Sequence, residues 1–254
     1  MKTYIRSFML FILALAGTIS AIAQNNENNN DINMNIKELI TQRHAVRHYK
    51  DKEIPDEVVA KLQQEIDKCN SENGLNFRFV QDEPKALKSG LFGLYRFTGV
   101  RNYIVLIGPD NPEALDKIGY FGEQLVIKIQ AEGLNTCWVG GSYKFIQETM
   151  QVNDGEQLYC IICVGYGKDN GKPHKSKSID DVVDVGDYPE WFYEGVKGAL
   201  LAPTALNRQH FKFSYKDNCA YAVSPNNAYD RLSLGIVKFH FEMFSGHKLI
   251  IYTL

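Results

Sequence analysis

The chain has 254 residues and a formal net charge of −2, and 44% of its residues are hydrophobic while 23% are charged. This composition is typical of a globular protein and provides enough apolar material for one sizeable core. Because the charge is nearly balanced, the composition argues against a general nucleic-acid-binding protein, which needs a strongly basic surface.

The first residues have the pattern of an export signal. Two basic residues precede an apolar run over residues 8–16, and small alanines then mark a cleavage point before Gln24. We therefore predict a signal peptide over residues 1–23, a polar linker over residues 24–33, and an exported protein that is periplasmic or secreted. The alternatives are an uncleaved anchor and an internal start at Met34. The apolar run is shorter than the roughly 20 residues of a membrane span, so no stable membrane insertion is expected after cleavage.

Five helices are predicted in the remaining residues 34–254. The clearest begins at Pro55, because proline suits the first position of a helix. Val58, Leu62 and Ile66 then form an apolar stripe along one face of this helix. Hydrophobic periodicity predicts the other helices over residues 34–41, 113–132, 189–201 and 227–244.

Short apolar or alternating runs between turn residues predict strands. In chain order these lie over residues 77–80, 103–107, 136–140, 158–164, 211–215, 220–223 and 248–253. Helices and strands are mixed without strict alternation, so we predict an α+β fold with a mixed sheet flanked by helices. The sequence contains no G-x-G-x-x-G motif, no P-loop and no H-E-x-x-H motif.

The five cysteines leave at least one thiol free, whichever disulfides form. Cys160 and Cys163 have the spacing of a redox or metal-binding pair. They lie, however, in a run with the composition of a strand, where residues three apart point to opposite faces. We therefore favour the interpretation that both are buried structural thiols. No metal site is predicted, because the scattered histidines lack metal-ligand spacing and are interpreted as structural: His48, His210, His240 and His247.

Two basic segments are candidates for binding a phosphate group. Arg43, His44 and Arg47 precede the helix that begins at Pro55, and residues 172–177 combine three lysines with a histidine. Charged donors of this kind make strong contacts with phosphate oxygens. Either segment alone is more typical of a solvated charged surface.

Two further loops offer uncharged polar groups. Gly140 and Gly141 follow a predicted strand and present backbone N–H groups to an acceptor atom that approaches closely. Residues 202–209 carry amide and hydroxyl side chains at fixed offsets after a helix stop. A plain turn explains each loop equally well when it is taken by itself.

Together these segments resemble the FMN-dependent nitroreductase family. Residues 41–59 are similar to its opening R-[RH]-S-x-[RK] signature and the proline-started helix that follows. Residues 133–141 (GLNTCWVGG) are similar to its G-L-G-T-x-W-I-G-G segment, and residues 165–183 contain its K-[SP]-[RK] phosphate loop. Residues 202–213 (APTALNRQHFKF) are similar to its A-P-S-x-x-N-x-Q-P-W-x-F segment.

The order of these segments differs from that of ordinary family members. Those members are homodimers with FMN between the subunits, and their A-P-S-x-x-N-x-Q-P-W segment follows the first helix pair. Here the segment lies near the C-terminus, so the chain is similar to a fused or duplicated subgroup labelled putative TM nitroreductase. The resemblance implies two pseudo-symmetric halves, over about residues 34–186 and 187–254. Together they would form one FMN site in a monomer that dimerises weakly or not at all.

The resemblance also implies which residues hold FMN. Arg43, Lys175 and Lys177 would bind its phosphate, and Arg47 would bind the pyrimidine edge or the phosphate. The backbone near Gly140 would hydrogen-bond flavin N5. No side-chain acid or base is required, so no catalytic residue is predicted. The full implied set is Arg43, His44, Ala45, Arg47, Trp138, Val139, Gly140, Gly141, Lys175, Lys177, Pro203, Thr204, Asn207 and Gln209.

The implied function is that of an FMN-dependent oxidoreductase. It would transfer a hydride from a reduced nicotinamide to the flavin and then to a small-molecule electron acceptor. The export signal leaves alternatives open, because NAD(P)H is scarce outside the cytoplasm. One is an exported flavin-binding or electron-relay protein that does not use NAD(P)H. Another is a cofactor-free module that binds a protein partner.

Overall fold

The computed structural model describes residues 36–87 and 97–254. The predicted signal peptide, the linker and Met34 lie outside the described residues. The chain divides into two compact units, one ending at Glu38 and one over Leu39–Leu254. Residues 36–42 are helical, as predicted for the part of that segment that is described. Within the described residues, no helix is long and apolar enough to cross a membrane.

The remaining helices and strands confirm the predicted order of elements. The helices are α1 (Asp56–Asn73), α2 (Pro112–Ala131), α3 (Gln147–Met150), α4 (Glu190–Ala199) and α5 (Ala228–Ser245). The strands are β1 (Arg78–Val80), β2 (Asn102–Pro109), β3 (Asn135–Val139), β4 (Glu156–Gly165), β5 (Lys212–Lys216), β6 (Cys219–Ser224) and β7 (Leu249–Thr253). The short helix α3 was not predicted, because a single turn contains too few residues to show a helical period.

Local sequence determines where the two long central helices begin. The Asn111 side chain accepts a hydrogen bond from the Ala114 N–H and caps α2, and Asn227 caps α5 in the same way. Asparagine is among the best residues at this position because its side chain satisfies an otherwise unpaired N–H. Gly246 ends α5 in the left-handed conformation that glycine adopts without strain.

The first sheet consists of four antiparallel strands in the order β1-β2-β4-β3. The inner strand β4 places Cys163 opposite Tyr103 of β2 and opposite Cys137 of β3. Both Cys160 and Cys163 are buried free thiols in this strand, as predicted. Burial raises the pKa of each thiol, so both stay protonated and structural at neutral pH.

The second sheet has three strands in the order β5-β6-β7. Strands β5 and β6 form an antiparallel pair, and β7 adds to β6 in parallel. Its inner face packs against α4 and α5 around Phe192, Phe213 and Phe241. The α+β fold is thus confirmed, with its strands divided between two sheets.

Helix α5 packs against both α2 and α4. The backbones of α2 and α5 approach each other at two glycines. A methyl group on Gly119 would lie 2.1 Å from the Leu232 carbonyl oxygen, and one on Gly235 would lie 2.2 Å from that of Asp116. Glycine is required at both positions because any side chain would separate the helices.

We predict that Gly235→Ala destabilises the protein by about 1–3 kcal/mol through overpacking at this helix contact. Helix propensity alone predicts the opposite sign, because alanine favours a helix by about 1 kcal/mol over glycine. Urea unfolding of the variant measures the difference. Lys117→Ala, on the exposed side of α2, is the matched control and should change stability little. A Gly235→Ala protein as stable as wild type would show that the helices can separate freely.

Candidate functional site

The first basic segment lies between β3 and the chain that follows β4. Ala45 pairs with Thr136 of β3, and the Val46 N–H donates to the Thr136 carbonyl oxygen at 3.0 Å. On the other side, the Lys168 N–H donates to the His48 carbonyl oxygen at 2.8 Å. These backbone bonds hold residues 43–48 next to two of the other predicted site segments.

The 172–177 loop begins at a glycine that touches this basic segment. A methyl group on Gly171 would lie 2.9 Å from His44 Cβ and 3.0 Å from the Ala45 carbonyl oxygen. Gly171 also has a φ of +74°, a conformation that favours glycine. The close approach places the loop directly against His44 and Ala45, as the shared site requires.

The same loop is bound to the second half of the chain. His174 Nε2 lies 3.1 Å from the carbonyl oxygen of Leu200, and Ser176 Oγ donates to that oxygen at 3.0 Å. Leu200 ends α4. Burial lowers the pKa of His174, the hydrogen bond with Leu200 opposes that effect, and the charge of Arg43 lowers the pKa further. His174 is therefore within electrostatic range of Arg43 and is neutral at pH 7.

Gln209 joins the two loops that sequence analysis assigned to one site. Its side-chain oxygen accepts the Lys177 N–H at 2.8 Å, and its amide nitrogen donates to the Lys175 carbonyl oxygen at 3.2 Å and to Asn207 Oδ1 at 3.0 Å. Lys177 Nζ donates in return to the Gln209 carbonyl oxygen at 2.8 Å. The Gln209 N–H donates to Thr204 Oγ1 at 3.1 Å. Gln209 is buried, so each of these bonds forms away from water.

The backbone of this loop is strained. Leu206, Asn207 and Gln209 all have left-handed φ angles, of 53°, 56° and 50°. Each such residue other than glycine is less stable by about 1–3 kcal/mol, and such residues concentrate at functional sites. Leu206 is also 75% exposed, so packing of its side chain does not explain the conformation.

The Gly140–Gly141 turn faces Tyr229, at the start of α5. A methyl group on Gly140 would lie 3.1 Å from Tyr229 Cε1, and one on Gly141 would lie 3.6 Å from the Tyr229 hydroxyl. Ser233 Oγ donates to the Tyr229 carbonyl oxygen at 2.7 Å and accepts the Ala205 N–H at 3.1 Å. These contacts link the glycine turn to the 202–209 loop through one turn of α5.

Of the residues predicted to bind FMN, Trp138 and Val139 are the two whose contacts are mainly structural. Val139 is the buried last residue of β3. The indole N–H of Trp138 donates to Glu123 Oε2 at 2.8 Å, and the ring packs against Gly122. Pro203 is half-buried before Thr204, whereas Arg47, Lys175 and Lys177 lie exposed.

Arg43 takes part in a buried charged cluster that sequence analysis missed. Arg43 Nε lies 3.4 Å from Glu123 Oε1 and has no hydrogen-bond partner within the described residues. The same carboxylate oxygen lies 2.9 Å from His240 Nε2, and His240 Nδ1 lies 3.3 Å from the Gly198 carbonyl oxygen. Glu123 and His240 are fully buried, and Arg43 is 4% exposed. The sequence contains one indication of this cluster, which is that the charged residue Glu123 interrupts the apolar face of α2.

The partners of Glu123 keep it ionised. Burial alone would raise the pKa of this carboxyl group, but the hydrogen bond from His240 and the charge of Arg43 outweigh burial. Its pKa is therefore lowered, and the group is a carboxylate at neutral pH. In the described part of the chain, no group of three His, Cys, Asp or Glu side chains is arranged to hold a metal ion.

Several solved structures are similar to this chain, and the first of those described here shares its fold. A structure described as a nitroreductase from Thermotoga maritima is 22% identical, with a TM-score of 0.59 and 82% of each chain covered. An FMN-dependent nitroreductase from Clostridium difficile is 21% identical, with a TM-score of 0.42, covering 54% of this chain and 90% of its own. A nitroreductase in complex with FMN from Desulfovibrio desulfuricans is 16% identical, with a TM-score of 0.47, covering 61% and 98%.

No curated protein matches the chain at a significant level. A family model does match it, over residues 35–245, which is most of the chain and includes all four site segments. The chain therefore belongs to the family described as Putative TM nitroreductase and is a nitroreductase-family oxidoreductase.

Proposed function

We propose that this protein is an FMN-dependent oxidoreductase that takes a hydride from a reduced nicotinamide and passes electrons to a small-molecule acceptor. The observation that carries the proposal is the Gln209 network, which ties the basic 172–177 loop to the polar 202–209 loop. The basic segment at Arg43 lies against Gly171 at the start of the basic loop. The Gly140–Gly141 turn is linked to the polar loop through Tyr229 and Ser233. These contacts connect all four segments of the family resemblance and support a shared site.

The residues at this location fit the chemistry of FMN. A phosphate needs positively charged donors, and Arg43, Lys175 and Lys177 would hold it. Within the described residues Arg43 Nε makes no hydrogen bond and only a 3.4 Å ion pair with Glu123 Oε1, which leaves donor capacity on the guanidinium for a ligand. Lys177 Nζ uses one of its three N–H groups on Gln209, which leaves two for a ligand. Arg47 is exposed and would bind the pyrimidine edge.

The Gly140–Gly141 turn would face the reactive part of the flavin. Both glycines are exposed, and without side chains they let an acceptor atom reach their backbone N–H groups. When bound, the flavin supplies the hydride acceptor, and the protein contributes binding, orientation and charge. Among the described residues, Tyr229 is the one side chain within 4 Å of methyl groups placed on these two glycines, so a planar ring would approach the turn next to Tyr229.

The site would be complete within one chain. Arg43, Gly140 and Lys177 come from the first half defined by sequence analysis, whereas Thr204 and Gln209 come from the second. Hydrogen bonds between Lys177 and Gln209 join the two halves at this location. We therefore propose one FMN per monomer.

The predicted signal peptide over residues 1–23 favours a second candidate function. An exported flavoprotein meets little NAD(P)H, so the protein would instead relay electrons between a different donor and its acceptor. Both functions need the same FMN site and differ only in the donor. A cofactor-free module that binds a protein partner needs no such site.

We expect the protein purified from residue 24 onward, mixed with FMN and passed through gel filtration, to co-elute with flavin absorbance at about one FMN per chain. The charged donors around Arg43 and Lys177 provide the reason, since they favour a phosphate ligand. Riboflavin, which lacks the phosphate, serves as the control and should be retained less. A colourless protein would contradict the oxidoreductase proposal and leave the cofactor-free module.

Addition of NADPH or NADH to the FMN-loaded protein under anaerobic conditions separates the two candidate functions. Bleaching of the flavin absorbance within seconds is expected for the nicotinamide-dependent oxidoreductase. Dithionite is the control, because it reduces any bound flavin. Reduction by dithionite but not by either nicotinamide would support the electron relay.

We predict that Gln209→Leu weakens FMN binding about tenfold, because the side chain no longer holds the backbone of Lys175 and Lys177. Quenching of flavin fluorescence on titration measures the dissociation constant. Arg208→Ala is the matched control, since Arg208 is the exposed neighbour of Gln209 in the same loop. If the two variants bind FMN equally well, the Gln209 network does not organise the site.

A further inference from the structure

We propose that Glu123 and His240 are positioning residues that fix Arg43 and add a second buried positive charge behind the phosphate site. This inference rests on the proposed FMN function and extends it to residues outside the four family segments. Glu123 lies on α2, His240 on α5, and Arg43 is the first residue of the first basic segment. The carboxylate thus joins parts of the chain that are distant in sequence.

The hydrogen bonds of His240 define its protonation state. Nε2 lies 2.9 Å from Glu123 Oε1, and Nδ1 lies 3.3 Å from the Gly198 carbonyl oxygen. Both partners are acceptors, and a neutral imidazole has only one N–H to donate. Only the doubly protonated ring donates to both. Gly198 lies next to the C-terminal end of α4, where the helix dipole favours a positive charge.

Protonation of Glu123 in place of His240 does not fit the contacts. Glu123 Oε2 already accepts the indole N–H of Trp138, and Oε1 faces both Arg43 and His240. A proton on Oε2 would meet the indole donor of Trp138, and a proton on Oε1 would face the Arg43 guanidinium, so both contacts favour the ionised carboxylate. Its lowered pKa agrees with the ionised form. The buried cluster therefore contains one carboxylate and two cations, with an excess of one positive charge.

This excess charge lies near the 172–177 loop, because His240 Nδ1 faces the Gly198 carbonyl oxygen and His174 Nε2 faces the Leu200 carbonyl oxygen, both at the C-terminal end of α4. Within the described residues, the titratable groups besides Glu123 that interact electrostatically with the cluster are His174 of the 172–177 loop, His44 of the basic segment and the Cys137 thiol of β3. Burial lowers the pKa of each histidine and the charge of Arg43 lowers it further, whereas burial raises the pKa of Cys137, so its thiol is neutral. Neither histidine is therefore an anion or a neutralising partner. An uncompensated buried charge is unfavourable, so an anionic ligand next to Arg43 would stabilise the cluster.

The neutral variant His240→Gln tests the charge because its amide can still donate to Glu123. We expect its dissociation constant for FMN to rise by about tenfold or more, since a buried charge is lost. The dissociation constant for riboflavin should stay within about twofold of wild type, because riboflavin carries no phosphate. Tyr120→Phe is the matched control: it removes another hydrogen bond between α2 and α5, which the half-buried Tyr120 hydroxyl donates to Glu242 Oε2 at 2.9 Å. It should leave both constants unchanged.

A second measurement uses the wild-type protein and requires neither bound flavin nor a substituted variant. Nitrogen NMR of the imidazole groups in the wild-type protein should show a proton on both ring nitrogens of His240, because both nitrogens face acceptors. A singly protonated ring would overturn the inference. So would equal FMN affinities of wild type and His240→Gln, with the proposed function intact. Failure of wild type to bind FMN would overturn the proposed function itself and, with it, the role toward phosphate.

Discussion

A carboxylate in a protein interior is unfavourable unless charged or hydrogen-bonding groups surround it, and this requirement organises the centre of the molecule. Glu123 accepts one hydrogen bond from Trp138 of β3 and another from His240 of α5. Arg43 faces the same group. The helices and the sheet must therefore meet in one arrangement for Glu123 to be satisfied, and the glycine contact between α2 and α5 provides the space.

The candidate site is built on this centre by the same physical rule. Gln209 is buried, so its amide must find partners, and it finds them on the backbone of the neighbouring basic loop. That loop is fixed in turn by Gly171 against His44 and by Ser176 against the end of α4. The hydrogen bonds of these buried polar groups therefore hold the 172–177 loop and the 202–209 loop in one defined arrangement.

The sequence predicted the helices and strands that the structure contains, apart from the short helix α3, but not the contacts that connect the four proposed site segments. The stripe of Val58, Leu62 and Ile66 is a local pattern, and a helix follows from it directly. The role of Gln209 followed only from its family motif, because its partners lie in another loop. The pairing of Glu123 with His240 joins residues 117 apart in the chain. No periodicity or spacing encodes such a contact, because it exists only after the helices pack.

The family fold and the convergence of its segments lead to a single physical claim, which is that one chain holds one complete FMN site. Native mass spectrometry of the protein with FMN tests this claim most directly, since it resolves both the number of chains and the number of ligands in each species. The expected result is a monomer that carries one FMN over a range of protein concentrations. FMN bound only to dimers would contradict the claim, because the site would then need a second chain.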